Sequence, residues 1–211
     1  MLHKLTLNLA QTFYTNNDIE YDEGDVEVYA YGLELFLSAV LEVLAVLVLG
    51  ILLGRVFETI AFFAAFIPLR SYAGGYHAKT HLGCFFVLLV IYALILSVLH
   101  TIPPELISHV AIFCVGLSTY PILNFAPLAD ANKPIGPLQR KKFKKKSVFI
   151  FLIQAIIIMG LSGFIMISAM RGIEIAIIVP YICLSLALGQ LSSSGSLLFA
   201  KIRNAGRSIP T

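Results

Sequence analysis

The sequence predicts an all-α integral membrane protein with about six transmembrane helices, one of them short, and an N-terminal amphipathic helix on the membrane surface. Of the 211 residues, 58% are hydrophobic and only 13% are charged, and the mean hydropathy is +0.88. A soluble domain is about half apolar and about a quarter charged, so this composition excludes that class. Six spans of about 20 residues each would use most of the chain. Residues 1–211 therefore form one polytopic membrane domain.

The N-terminal segment, residues 1–31, is predicted to lie at the membrane surface. Four apolar side chains recur there at helical spacing: Leu2, Leu5, Leu9 and Phe13. This pattern predicts a short amphipathic interfacial helix, although an ordinary packed helix gives it equally well. Six carboxylates follow between residues 18 and 27, a run typical of a solvated connector that could also face a basic loop. No continuous apolar core is present, so the segment does not predict a cleavable signal peptide.

Two apolar runs, 32–54 and 55–69, are separated by a junction too short for a large loop, and they predict a helical hairpin. The second run is short enough that we expect it to be tilted, short or re-entrant. Glu42 lies deep in the first run, where an ionisable group needs a partner or water. The sequence leaves two interpretations of Glu42 open: it pairs with a structural partner, or it belongs to a substrate channel. Gly50 and Gly54, four residues apart, could form a close-packing face.

Four later apolar runs predict the remaining spans: 82–102, 106–125, 147–169 and 173–191. The first two are joined at Pro103-Pro104, and the last two form a hairpin at Met170–Gly172. Cys114 and Cys183 lie in the middle of spans and are expected to be small core residues. Three cysteines, two of them within apolar runs, do not predict a disulfide framework.

A loop from Ala126 to Lys146 carries seven of the 15 lysines and arginines: Lys133, Arg140, Lys141, Lys142, Lys144, Lys145 and Lys146. Basic loops stay in the cytoplasm. Counting spans from this loop puts the Pro103-Pro104 turn outside and places residues 70–84 and the C-terminal tail inside. The N-terminus is inside too if both early runs cross. Arg171, in a turn placed outside, is the main exception. Anionic lipid is an expected partner of this loop, which could instead attract an acidic peptide tail.

The polar stretch 70–84 reads RSYAGGYHAKTHLGC and contains the pairing that predicts a reactive centre. His77 precedes Cys84 by seven residues. The thiolate is the nucleophilic form of cysteine, and a neighbouring imidazole or a helix N-terminus favours it. A helix beginning at about Leu82 would place Cys84 in its first turn. Spacing alone, however, favours the simpler interpretation of a solvated histidine and an inert buried thiol.

Helix geometry limits how His77 could act on Cys84. On one straight helix the two residues would lie about 10 Å apart along the axis, whereas proton transfer needs roughly 3 Å. A working pair therefore requires a bend, which the neighbouring glycines permit. We expect His77 on a loop or at the end of the preceding helical arm. If the helix were unbroken, His81, three residues from Cys84, would be the next candidate.

Arg70, the AGGYH core at 73–77 and Cys84 resemble the signature of the accessory gene regulator B family. Members of that family are integral membrane cysteine endopeptidases of Gram-positive bacteria that process quorum-sensing peptide precursors. The resemblance covers nearly the whole chain and includes the NKPI segment at 132–135, followed by lysines. It implies that Cys84 is the nucleophile and His77 its base. It also implies a small precursor peptide as substrate, a thioester acyl-enzyme, and closure of a thiolactone or lactone ring.

Five residues receive supporting roles in this hypothesis. Arg70 either clamps a carboxylate of the precursor or fixes the loop by reaching lipid phosphate. Gly75 belongs to the matched core. Asp130 or Asn132 could orient the histidine, and Lys133 could attract the acidic part of the peptide. Backbone N–H groups at the start of the cysteine's helix are the expected oxyanion donors.

We expect a homodimer in the cell membrane, with its active site at the cytoplasmic face and with no metal, cofactor or nucleic-acid partner. The competing hypothesis is a small transporter or peptide exporter without covalent chemistry. Glu42, Glu58 and the short second run would then belong to a translocation path. Replacing Cys84 separates the two hypotheses, because a transporter has no need of a thioester.

Overall fold

The computed structural model describes residues 2–16, 23–76, 80–128 and 136–205. Within those ranges every regular element is a helix, in the order α1 (Leu2–Asn16), α2 (Glu23–Leu52), α3 (Val56–Ala73), α4 (His81–Thr101), α5 (Pro104–Phe125), α6 (Pro137–Met170) and α7 (Ile178–Ala205). The last six are long and apolar enough to cross a membrane. The predicted all-α fold with six apolar helices and a short N-terminal helix is therefore confirmed.

The N-terminal helix α1 packs along the first turns of α2. The rings of Phe13 and Tyr29 stack with their centroids 5.3 Å apart, and Ala10 and Ala30 are buried in the same small cluster. Part of the apolar stripe of α1 therefore faces protein. The composition of the carboxylate run predicted a solvated connector. Because α2 begins at Glu23, however, the second half of that run is helical.

The hairpin between α2 and α3 assigns different roles to the two glycines of the predicted packing face. Gly50 is buried where the helices meet, and a Cβ there would collide with the Thr59 hydroxyl. Gly54 has open space around it and a φ of +67° in the turn, a conformation that glycine adopts without strain. At the start of α3, Arg55 pairs with Glu58 at 2.9 Å. The close-packing interpretation therefore holds for Gly50, whereas Gly54 makes the turn.

The second span is longer than the apolar run suggested. The helix α3 continues through Pro68 to Ala73 and has 18 residues, which at about 1.5 Å per residue corresponds to about 27 Å. That length approaches the roughly 30 Å of a bilayer's hydrocarbon core. A proline is tolerated inside such a helix when neighbouring helices pack around it. The extension also places Arg70 in the last turn of α3.

The core lies where α3, α5 and α6 pack around α7, which is the most buried of the six candidate spans. A Cβ at Gly189 of α7 would collide with the Phe62 carbonyl oxygen of α3, so these two helices touch closely, as small residues allow in membranes. The Gln154 amide of α6 donates to the Ala65 carbonyl of α3 at 2.9 Å. The helices α2 and α4 are the least buried of the six candidate spans.

The basic segment differs from the loop expected between residues 126 and 146. The helix α6 begins at Pro137, a position where proline favours helix initiation, and lysine and arginine are good helix formers. Six basic residues therefore lie on exposed turns of α6: Arg140, Lys141, Lys142, Lys144, Lys145 and Lys146.

Candidate active site

Cys84 lies in the first turn of α4, as predicted, and α4 begins one residue before the expected Leu82. Thr80 is the N-cap, with an extended backbone and a side-chain oxygen that accepts from the Gly83 amide at 3.1 Å. Threonine commonly caps helices in this way. The Cys84 amide donates to the Thr80 carbonyl at 3.1 Å. Thr80 thus engages two of the amides expected to stabilise an oxyanion.

The helix that bears Cys84 does not extend back to Tyr76. Gly74, Gly75 and Tyr76 are non-helical, and α4 begins at His81 after the extended Thr80, so one unbroken helix from Tyr76 to Cys84 is excluded. His77 and three of the supporting candidates, Asp130, Asn132 and Lys133, lie outside the described residues, and so does the side chain of His81. Their roles stay predictions.

Arg70 turns from the end of α3 toward α7. Its guanidinium donates to the Ser196 hydroxyl and to the Tyr76 carbonyl oxygen. The same group lies over the Phe66 ring, 5.8 Å from its centroid. All three partners are uncharged, so they hold the guanidinium in place without neutralising it.

Two glycines allow the chain after α3 to approach its neighbours closely. Gly74 has a φ of +76°, and a Cβ there would collide with the Leu128 carbonyl oxygen. Gly75 has a φ of +148°, and a Cβ there would collide with the Arg70 guanidinium. Residues that carry a side chain rarely adopt either backbone conformation. The absence of a side chain at Gly75 thus leaves room for the Arg70 guanidinium, whereas its supporting role in the reaction stays a prediction.

Tyr76 attaches this segment to α7. Its amide lies 3.0 Å from the Ser196 hydroxyl oxygen and 3.1 Å from the Ser196 carbonyl oxygen. Its ring meets Phe199 edge-on at 5.1 Å and lies 4.9 Å from the Arg203 guanidinium. The chain that leads toward His77 is therefore held against the C-terminal half of α7.

Arg70 and Cys84 both line one cleft. Its volume is about 430 Å³, which includes space that is open to the surroundings. The helices α2, α3, α4 and α7 all contribute to its lining. Phe66 and three α4 side chains form its apolar wall, whereas Glu42 and Ser196 add polar groups. An apolar wall with a few convergent polar groups is the usual form of a binding site.

Glu42 lines this cleft, although the sequence left its role open. Its carboxylate accepts from the Ser38 hydroxyl at 3.3 Å. The Arg70 guanidinium interacts electrostatically with both Glu42 and Cys84. The deep carboxylate of α2 therefore has a cationic neighbour, and it lies at the candidate site rather than elsewhere in the helix bundle.

Ser196 is the site residue that sequence reasoning missed. It lies in a serine-rich run of α7 and carries no motif, charge or spacing that marks it. Its importance follows only from the packing of α7 against the end of α3.

The other two cysteines are buried in the core, as expected, whereas Cys84 is partly exposed. The Cys183 sulfur lies 3.4 Å from the Ser162 hydroxyl, within the helix bundle. Among the residues that the structure describes, no group of three histidine, cysteine or acidic side chains is placed to hold a metal ion.

Comparisons with known proteins found relatives of this chain. A family model described as Accessory gene regulator B matches residues 6–192. The chain is 31% identical over 131 residues to Protein FsrB of Enterococcus faecalis, a match that covers 62% of this chain and 54% of that protein. It is 26% identical over 136 residues to an AgrB-like protein of Clostridium perfringens, covering 62% and 64%. Accessory gene regulator protein B of Staphylococcus intermedius is 29% identical over 107 residues, covering 50% and 55%.

These matches span less than two thirds of the length of each of the three relatives. No solved structure matches the chain.

Proposed function

The chain belongs to the accessory gene regulator B family, and on that premise we propose that it is a membrane cysteine endopeptidase acting on a small precursor peptide. Membership in the family implies a role in processing a quorum-sensing peptide. One observation carries the chemical part of the proposal. Cys84 is the partly exposed cysteine and shares a cleft with a guanidinium, whereas Cys114 and Cys183 are buried in the core.

In the proposed reaction His77 takes the proton of the Cys84 thiol, and the thiolate attacks a backbone carbonyl carbon of the precursor. The C–N bond breaks, and the C-terminal fragment leaves as an amine that takes the proton back from the imidazolium. A thioester to Cys84 remains. An internal cysteine thiol or serine hydroxyl of the bound fragment then attacks that thioester; its proton passes to the Cys84 sulfur, which leaves as the thiol. A thiolactone or lactone ring forms without ATP, because the thioester retains the activation that ring closure needs.

The contacts of Arg70 support a role for it next to the nucleophile. Its guanidinium interacts electrostatically with Cys84 and faces the cleft that would hold the substrate. It is suited to bind a precursor carboxylate bidentately and to stabilise charge that develops on the attacked carbonyl oxygen. The role in stabilising the oxyanion is favoured, because the amides of Gly83 and Cys84 already donate to Thr80. Asp130 and Asn132 stay candidates for orienting His77, and Lys133 for attracting an acidic peptide.

We place the cleft at the cytoplasmic face. If α2 to α7 all cross the membrane, the α3–α4 connection and the exposed basic turns of α6 lie on the same side. Basic residues near span ends mark the cytoplasmic side, where a reducing environment preserves a free thiol. Anionic lipid headgroups are then the natural neighbours of Arg140 to Lys146.

The transporter hypothesis loses two of the features that suggested it. The helix α3 is long enough to be counted among the candidate spans, and Glu58 pairs with Arg55 at the hairpin. The third feature, Glu42, lines the cleft that contains Cys84.

The proposal is tested by co-expressing this chain, in a bacterium without homologues, with each small open reading frame found next to its gene. Mass spectrometry should detect cleaved peptide with the unaltered protein and only intact precursor with Cys84→Ala. Cys114→Ala and Cys183→Ala are matched controls and should retain cleavage. Immunoblots of membrane fractions confirm that each variant is inserted. Cleavage at the normal rate by the Cys84→Ala protein would end the peptidase interpretation.

A further inference from the structure

The C-terminal half of α7 contains four serines within five residues, in the sequence SSSGS at 192–196. They face different surroundings. Ser193 is buried, and Ser194 donates to the Ser118 hydroxyl of α5 at 3.1 Å. Of the four, Ser196 is the one that lines the cleft. The position of each serine around the helix, not its chemistry, decides which of them reaches the site.

The Ser196 hydroxyl oxygen accepts two hydrogen bonds at the cleft. One comes from the Arg70 guanidinium and the other from the Tyr76 amide, at 3.0 Å. A hydroxyl has two acceptor lone pairs, so both donors can be satisfied at the same time. Replacing this hydroxyl with a hydrogen, as alanine does, would remove one acceptor of the Arg70 guanidinium and leave the Tyr76 amide with only the Ser196 carbonyl oxygen.

These bonds form part of a closed ring of contacts. The Arg70 guanidinium also donates to the Tyr76 carbonyl oxygen, so Arg70, Ser196 and Tyr76 are bonded to one another pairwise. Gly75 lies inside this ring, where a Cβ would come within 2.8 Å of the Ser196 hydroxyl oxygen. The ring ties the end of α3 to α7 immediately before the chain continues toward His77.

We propose that Ser196 is a positioning residue of the reaction: its hydroxyl aims the Arg70 guanidinium at the cleft and holds the Gly74–Tyr76 segment that leads to His77. This inference rests on the proposed function, because Arg70 needs aiming only if Cys84 reacts in the cleft. Ser196 lies beyond the region matched by the family model, which ends at residue 192. The positioning role is therefore inferred from this chain's own contacts.

The test compares Ser196→Ala, Ser196→Thr and Ser194→Ala in the protein in membranes, using as substrate the peptide that the co-expression experiment identifies. Ser196→Ala should lower kcat roughly tenfold or more, because it removes a hydrogen bond to a charged group, while KM changes little. Ser196→Thr retains the hydroxyl and should recover most of the turnover. Ser194→Ala removes a buried hydroxyl from the same helix, away from the cleft, and should leave kcat close to that of the unaltered protein.

A second measurement needs no precursor. In a protein with Cys114→Ala and Cys183→Ala, iodoacetamide should modify Cys84 several-fold more slowly at neutral pH after Ser196→Ala, because a displaced Arg70 stabilises the thiolate less. The Ser194→Ala change in the same background should leave the modification rate unaltered.

The proposal is overturned if Ser196→Ala behaves like Ser194→Ala in either measurement, or if Ser196→Thr is as slow as Ser196→Ala. Failure of the proposed function has a different signature. In that case the unaltered protein releases no cleaved peptide, or Cys84→Ala releases it at the normal rate.

Discussion

The Arg70 guanidinium and the Cys84 thiol belong to different helices, and they face the same cleft. Their electrostatic interaction brings a fixed cation to the one cysteine that is not in the core. A positive neighbour favours the thiolate, which is the reactive form of cysteine. The arrangement does not depend on the histidine alone, since Ser196 and Tyr76 hold Arg70 in place.

Iodoacetamide should modify Cys84 faster than Cys114 or Cys183. Cys84 is partly exposed beside a guanidinium, whereas the other two thiols are buried in the core, and reactivity follows exposure and thiolate content. Peptide mass spectrometry after timed labelling measures the three rates. His77→Ala should slow the modification of Cys84 if the imidazole acts as its base. An unchanged rate would remove His77 from that role and leave Cys84 as nucleophile.

Gly75→Ala should abolish most activity and destabilise the protein by about 1–3 kcal/mol, the usual cost of a strained backbone conformation. The φ of +148° disfavours alanine, and its Cβ would displace the Arg70 guanidinium. Gly160→Ala is the matched control, because a Cβ added to that glycine of α6 would have no atom within 4 Å. Thermal unfolding in detergent and peptide cleavage would be measured for both variants. Equal behaviour of the two proteins would contradict the packing argument.

Glu42→Gln should lower peptide turnover about tenfold or more, because the change removes a charge that interacts with Arg70 at the cleft. Glu58→Gln is the matched control. It removes the negative charge that pairs with Arg55 at the hairpin and should reduce thermal stability while leaving turnover of the folded protein nearly unchanged. Cleavage rates normalised to folded protein decide between these outcomes. A larger loss of turnover with Glu58→Gln would contradict the assignment of Glu42 to the site.

The exposed basic turns of α6 should be cytoplasmic, and the connection between α4 and α5 should be external. The physical reason is the asymmetric distribution of lysine and arginine. Single cysteines placed at Lys142 and at Pro103 in a cysteine-free protein would report their sides through a membrane-impermeant maleimide. In intact cells we expect labelling at position 103 and none at 142 until the membrane is permeabilised. Labelling at 142 in intact cells would invert the topology and move the cleft outside.

Local sequence determined the membrane class, the number of apolar helices and the helix-start position of Cys84. Each depends on residues close together in the chain: composition sets the class, apolar runs of sufficient length set the spans, and a polar residue before such a run sets where α4 begins. The limits of this information appear at Pro68 and Pro137. Neighbouring α6 and α7 support α3 through Pro68 to Ala73. The basic turns after Pro137 are also helical. The hydropathy pattern, in contrast, ended the second apolar run at residue 69 and began the run of α6 at residue 147.

Only the tertiary structure decided which polar groups meet at the cleft. Arg70 and Ser196 are 126 positions apart, and Glu42 reaches the same cleft from a third helix. A local pattern shows which face of a helix is apolar, but it does not show which neighbour that face meets. The partner of a deep carboxylate or an interior guanidinium depends on how helices distant in sequence pack, through contacts such as those of Gly50 and Gly189.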